Sequence, residues 1–194
     1  MPQTEEILMK VAAFAADAHT GQKRKYVDEP YIEHPVRVMY ACLAQQQPLV
    51  VLCAALLHDV LEDTSVTEDE LLAFLGSVFL PQEAKSVLKM VVELTDVYIK
   101  SNYPHWNRQI RKKAELERLK RISSGAQTIK YADILDNCEG ITTQDPDFAA
   151  ILLIEYQQQV EALNSGDATL RQITTEKIDA VLKAMSTKAN QILR

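Results

Sequence analysis

At 194 residues, with 47% hydrophobic and 25% charged side chains, the chain can bury one full core but is too short for two catalytic domains of ordinary size. Its 21 basic and 27 acidic residues leave a formal charge of −6, which argues against general binding of nucleic acid or anionic membranes; a local basic patch could still serve a small anionic ligand. Five Gly and seven Pro leave little material for turn-dense sheet structure, and the longest apolar run falls far short of the ~20 residues of a membrane span. The N-terminus lacks the basic start and apolar core of a signal peptide, and three cysteines without CxxC spacing read as buried thiols, so a cytoplasmic location is expected.

Apolar positions recur at helical spacing almost throughout. Ile7, Val11, Phe14, Ala15 and Ala18 predict a first helix over about 4–18, followed by a polar segment with Gly21 as the stop and a basic cluster, Lys23-Arg24-Lys25. Pro35 suits the first turn of a second helix ending near 46. Pro48 opens a third, over about 49–61, apolar on nearly every side and therefore central in a bundle. Thr67 and Glu70 have the form of a capping box for a short helix to about 75. Further helices are expected over about 81–94, 108–122, 126–137 and 148–163, with a loop at 97–107, and one or two more from 174 to the end. No strand pattern interrupts this series, so the fold class is all-α, a single compact multi-helix bundle over 1–194.

The end of the third helix carries the chemistry. At about 100° per residue, His58, Glu62, Asp59 and Asp63 share one face of an extended helical wheel. Ionised side chains beside a core are unfavourable unless paired or bound to metal, and a divalent cation would relieve the repulsion among three carboxylates. His34 precedes a helix start, where a histidine alone is more often a cap. On the later helix, Lys130, Asp133 and Asn137 lie within about 60° of one face, and Asp133 sits among apolar Ile129, Ala132 and Ile134. Asp136 points elsewhere on that wheel and is expected to be solvated.

Two histidines, the doublet His58-Asp59 and a distant aspartate resemble the pattern of HD-domain metal-dependent phosphohydrolases. The ordered set is more specific: His19-Thr20-Gly21-Gln22-Lys23-Arg24-Lys25, Pro30-Tyr31-Ile32-Glu33-His34-Pro35, His58-Asp59-Val60-Leu61-Glu62-Asp63-Thr64, Leu94-Thr95-Asp96, then Lys130-Tyr131-Ala132-Asp133 with Asn137. It is similar to the hydrolase domain of RelA/SpoT-type proteins and to the stand-alone small alarmone hydrolases, over about 7–156, with C-terminal helices beyond about 164.

The resemblance implies that His34, His58, Asp59 and Asp133 hold one metal, usually Mn²⁺. Two imidazoles and two carboxylates suit Mn²⁺ and tolerate other divalent transition metals. It implies that Glu62 and Asp63 orient or deprotonate the attacking water. Arg24 would pack on the nucleobase, Lys25 would lie beside the nucleotide, Asn137 would help hold it, and Tyr156 would pack near sugar or base. Lys130 is either a phosphate contact or an outward lysine. His19 and His105 are read as non-ligands. The expected partner is a small nucleotide, and the expected reaction removes the 3′-pyrophosphate of ppGpp or pppGpp. The chain departs from the family's usual bases at Glu139 and Leu152, and after Asp96 only Lys100 could stand for a customary lysine. These departures leave another nucleotide as an alternative substrate, and a silent nucleotide-binding module as a third reading.

Overall fold

A computed structural model of the chain describes residues 2–25, 28–138, 141 and 146–192; Glu139, one of the altered basic positions, lies outside them. The helices are α1 (Pro2–Ala18), α2 (Glu33–Ala44), α3 (Leu49–Leu57), α4 (Val60–Asp63), α5 (Glu68–Val78), α6 (Pro81–Leu94), α7 (Arg108–Leu119), α8 (Ser124–Asn137), α9 (Pro146–Ala162) and α10 (Ala168–Ile192). Among the described residues the only β-type pairing is an isolated bridge between Lys23 and Pro30, which closes the loop between α1 and α2. The fold is all-α, as the periodicity implies, and no helix among the described residues is long and apolar enough to cross a membrane.

The apolar helix α3 runs through the centre, packed against α1, α2, α6 and α8. Leu52, Cys53, Ala54, Ala55, Leu56 and Leu57 are all buried there, as expected of a helix apolar on every side. Cys42, Cys53 and Cys138 are all buried, as expected.

Several helix bounds differ from the periodic reading for local reasons. The expected helix over 49–61 breaks at His58-Asp59 and resumes as α4, with Asp59 at φ −97° and ψ −4°. The break lets His58 Nδ1 reach the Ala55 carbonyl at 2.8 Å. α5 starts at the predicted capping box, where Thr67 and Glu70 cap each other's backbone amides, and runs on to Val78. α8 starts two residues early because Ser123 caps it. The C-terminal helix is one element and begins before 174, since Asp167 caps the amide of Leu170.

α8 carries the distant aspartate, and the chain grips it from both sides. α2 and α3 lie on its inner face and α10 on its outer face. On the outer side Tyr131 Oη donates to the Leu163 carbonyl at 2.7 Å, and Thr174 Oγ1 donates to the Tyr131 carbonyl at 3.1 Å. The amides of Ser165 and Asp167 donate to the side chains of Gln127 and Thr128.

Candidate metal centre

Three helical segments converge on one point. His34 comes from the first turn of α2, His58 and Asp59 from the break between α3 and α4, and Asp133 from the middle of α8. His34 Nε2 lies 3.5 Å from Asp59 Oδ2 and 3.3 Å from Asp133 Oδ1. His58 Nε2 lies 3.0 Å from Asp59 Oδ2 and 3.8 Å from Asp133 Oδ1. A cation bonded to N and O donors at about 2.1 Å holds neighbouring donors roughly 3.0–3.5 Å apart, and all of these separations except that of His58 from Asp133 fall in that range. The groups of His34, His58 and Asp59 lie within 4.8 Å of one another, close enough to hold an ion together.

The proton positions also fit a metal. Each imidazole has an acceptor at Nδ1, Asp136 for His34 and the Ala55 carbonyl for His58, which leaves Nε2 as the lone-pair nitrogen. His58 Nε2 is buried yet makes no hydrogen bond. An orphaned buried donor atom aimed at two carboxylates is costly unless something binds it. Burial works against charging His58, but Asp59 and Asp133 outweigh it and push the imidazole up to about 10. Burial works against the Asp133 carboxylate too, yet Lys130 and the two imidazoles hold it well below the usual carboxylate range. The two carboxylates draw positive charge to this spot, whether a proton or a metal supplies it.

Around this cluster lies a second set of contacts, part of which corrects the sequence reading. Asp136 is not solvated. It is buried, with Oδ2 2.7 Å from His34 Nδ1, and it receives the guanidinium groups of Arg37 and Arg24. The helical wheel missed this because it describes one helix, and the partners come from α2 and the loop before it. Lys130 Nζ lies 2.9 Å from Asp133 Oδ2, so it is neither an outward lysine nor a free cation. Asn137 Nδ2 donates to Asp133 Oδ1 at 2.6 Å, and its carbonyl oxygen accepts from Arg24 at 3.1 Å.

Tyr31 was not singled out by sequence, although it sits in a quoted motif. Its hydroxyl lies 2.8 Å from Asp59 Oδ2 and 2.7 Å from Asp63 Oδ2, and its ring stacks on His19 at 4.6 Å. His19 is buried and bonded to Gln22, a scaffold for Tyr31 rather than a member of the cluster.

A cavity of about 210 Å³ opens beside the four donors, walled by Arg24, Glu62, Asp63, Lys130, Asn137 and Tyr156. Leu152 also lines it and makes one wall apolar. Lys112 of α7, absent from the sequence reading, reaches the same cavity and pairs with Asp96 at 3.4 Å. Lys25 does not line the cavity; its ammonium stands 5.7 Å over the Phe148 ring. Lys100 is exposed and does not line it either.

Glu62 accepts the amide of Asp96 at 2.9 Å. Burial first, then the negative charge of Asp96, push its carboxyl up to about 7. The next two residues of the loop carrying Asp96 are fixed by Glu115, a buried carboxylate that accepts the amides of Val97 and Tyr98. A carboxyl that ionises near neutral pH beside a cation-holding cluster is equipped to take a proton from water.

Comparison with known proteins agrees with this geometry. A family model described as the HD domain matches residues 12–149. The human protein named guanosine-3′,5′-bis(diphosphate) 3′-pyrophosphohydrolase MESH1 is 34% identical over 143 residues, 72% of each chain. A Mycoplasma pneumoniae protein named a probable enzyme of the same activity is 26% identical over 200 residues, 96% of this chain, which spans only 25% of that relative's length. A solved structure, described as a metazoan ortholog of SpoT that hydrolyzes ppGpp, superposes with a TM-score of 0.71 at 28% identity, covering 92% of this chain and 94% of the other. The Listeria monocytogenes protein lmo0812, at 20% identity and a TM-score of 0.58, shares the fold. With a family model spanning most of its length and the donors of three helical segments converging on one point, the chain belongs to the HD-domain family.

Proposed function

We propose that the protein is a Mn²⁺-dependent 3′-pyrophosphohydrolase of the guanosine alarmones ppGpp and pppGpp, giving GDP or GTP and pyrophosphate, and that it acts as a single domain in the cytoplasm. The observation that carries this reading is the cluster of His34, His58, Asp59 and Asp133 beside a Glu62 carboxyl raised to about 7. The relatives' names and the superposition supply the substrate class.

The four donors would hold the cation. Two nitrogens and two oxygens with no thiolate suit Mn²⁺ and also accept other divalent transition metals. Bound there, the metal supplies Lewis-acid polarisation of a phosphoryl oxygen and makes water easier to deprotonate. Glu62, as the carboxylate, accepts the proton of the attacking water. Asp63, held by the Tyr31 hydroxyl, orients that water. The pyrophosphoryl group passes from the ribose 3′-oxygen to water, and the 3′-oxygen takes up a proton. Arg24 and Tyr156 would meet the nucleoside, Lys130 and Asn137 stand beside Asp133, and Lys25, over the Phe148 ring, lies outside the cavity lining.

The test is incubation of the Mn²⁺-loaded protein with ppGpp, with free phosphate and pyrophosphate scored separately. Release of pyrophosphate and GDP is expected, and intact ppGpp after long incubation removes this substrate. Glu62→Gln is expected to bind Mn²⁺ and lose turnover, which separates an enzyme from a silent binding module. A second substrate reading, an adenosine alarmone or another nucleoside phosphate, rests on Leu152 in the cavity wall. Faster release from such a nucleotide than from ppGpp in the same panel would favour it.

A further inference from the structure

A ligand imidazole is useful to a metal only when its proton sits on the other nitrogen, and the partner of that other nitrogen sets the tautomer and the ring orientation. For His58 this partner is a backbone carbonyl of its own helix, fixed by the fold. For His34 it is a side chain 102 residues away in sequence, the buried carboxylate of Asp136, at 2.7 Å. The same oxygen, Oδ2, lies 3.3 Å from Arg24 Nη2, while Oδ1 accepts from Arg37 Nε. Arg37 is itself anchored on Glu29. Arg24 also donates to Asn137, whose amide donates to Asp133. Arg24 is therefore tied to two of the four donors, through Asp136 to His34 and through Asn137 to Asp133.

We propose that Asp136 is a positioning residue for both halves of the site, fixing the His34 imidazole for the metal and the Arg24 guanidinium for the nucleotide. A carboxylate does more than a carbonyl could here. Its charge makes the imidazole a better donor to a cation, and its two oxygens together accept from the imidazole and from both guanidinium groups. The inference rests on the metal reading of the cluster, so its test reads metal affinity apart from turnover.

The experiment titrates Mn²⁺ into the full-length protein and follows the electron paramagnetic resonance signal of the free ion. Asp136→Ala is expected to weaken Mn²⁺ binding about 10–100-fold, the usual cost of removing such a partner. Asp136→Asn, which keeps an acceptor for Nδ1–H but not the charge, should fall between the alanine variant and wild type. Arg24→Ala should keep Mn²⁺ affinity within about twofold while raising KM for ppGpp, because it removes the nucleotide arm and leaves His34 held. Arg37→Met serves as the control for mere loss of an ion pair and should cost thermal stability more than Mn²⁺ affinity. An Asp136→Ala protein that melts cooperatively and binds Mn²⁺ like wild type overturns the proposal. If the alanine variant does not fold, Asp136→Asn decides, and unchanged Mn²⁺ affinity there overturns it equally. Wild-type protein that binds Mn²⁺ but leaves ppGpp intact removes the substrate reading and leaves Asp136's role standing, whereas wild-type protein that binds no Mn²⁺ removes both.

Discussion

The amide of Asp96 donates to the carboxylate of Glu62 at 2.9 Å, joining the end of α6 to the short turn of helix that follows the His58-Asp59 break. The contact gives Glu62 a fixed direction, and the Asp96 carboxylate beside it keeps Glu62's proton affinity high. Each is a separate lever on the same group.

Turnover should therefore rise with pH through about 7, because Glu62 must be ionised to accept a proton and its carboxyl sits at about 7. Asp96→Asn keeps the backbone amide and removes the charge, so the rising limb of kcat/KM should move to lower pH. A limb that stays in place in this variant would show that Asp96 does not tune Glu62. The raised value also has a stability consequence. A carboxyl whose folded pKa exceeds its unfolded one stabilises the fold below its ordinary value of 4.5, and that contribution is lost as pH climbs through about 7. Glu62→Gln, which can still accept the Asp96 amide, should melt higher than wild type at pH 8 while hydrolysing nothing.

Removing the metal should abolish hydrolysis and lower the melting temperature together. A ligand at 100 times its dissociation constant stabilises by about 2.7 kcal/mol, and in a chain of this size each kcal/mol is worth about 2–4 °C, so a fall of roughly 5–10 °C is expected on chelation. Added Mn²⁺ should restore both properties. A melt unaffected by chelator and Mn²⁺ would contradict the ligand role of the four donors.

Tyr31→Phe should lower kcat by an order of magnitude or more with little change in fold. The phenylalanine ring can still stack on His19, but the hydroxyl that serves Asp59 and Asp63 is gone. A hydrogen bond to a charged group is worth about 1.5–3 kcal/mol, which is roughly a 10–100-fold rate effect if it is felt in the transition state. Unchanged kcat with raised KM would instead place Tyr31 in substrate binding.

Two glycines should respond oppositely to alanine. A Cβ on Gly166 would meet Tyr131 Cε2 at 2.6 Å and the Thr128 amide nitrogen at 2.8 Å, where backbone cannot yield cheaply. Gly166→Ala should cost about 1–3 kcal/mol. Gly76, exposed within α5, has nothing within 4 Å of such a Cβ, so Gly76→Ala should gain about 0.4–1 kcal/mol. Denaturant melts of the pair measure both.

What the sequence disclosed, and what it hid, follows from the kind of signal each residue leaves. His58 and Asp59 stood out because ionisable groups end a wholly apolar helix, and Asp133 because apolar residues surround it. The helices themselves were legible from their stripes, and α6 was bounded at the residues where it ends. The break between α3 and α4 was hidden because a helix apolar all round has no stripe to interrupt. Asp136 was misread because its partners, His34 and Arg37, are about a hundred positions away and a wheel sees one helix. Tyr31 carries no charge to betray it. The Asp96 amide is backbone, and Glu115 lies on a helix so dense with charge that nothing in its pattern marks this acid as buried against the site loop.

The grip on the outer face of α8 has a bearing on how short such a hydrolase can be. Every donor proposed for the cation lies before residue 149, where the family match ends, yet the residues bracing α8 from behind, Leu163, Ser165, Asp167 and Thr174, all come after it. A version trimmed to the matched span would keep its complete set of ligands on a helix with no splint. The catalytic parts are encoded early in the chain, and their rigidity is encoded late.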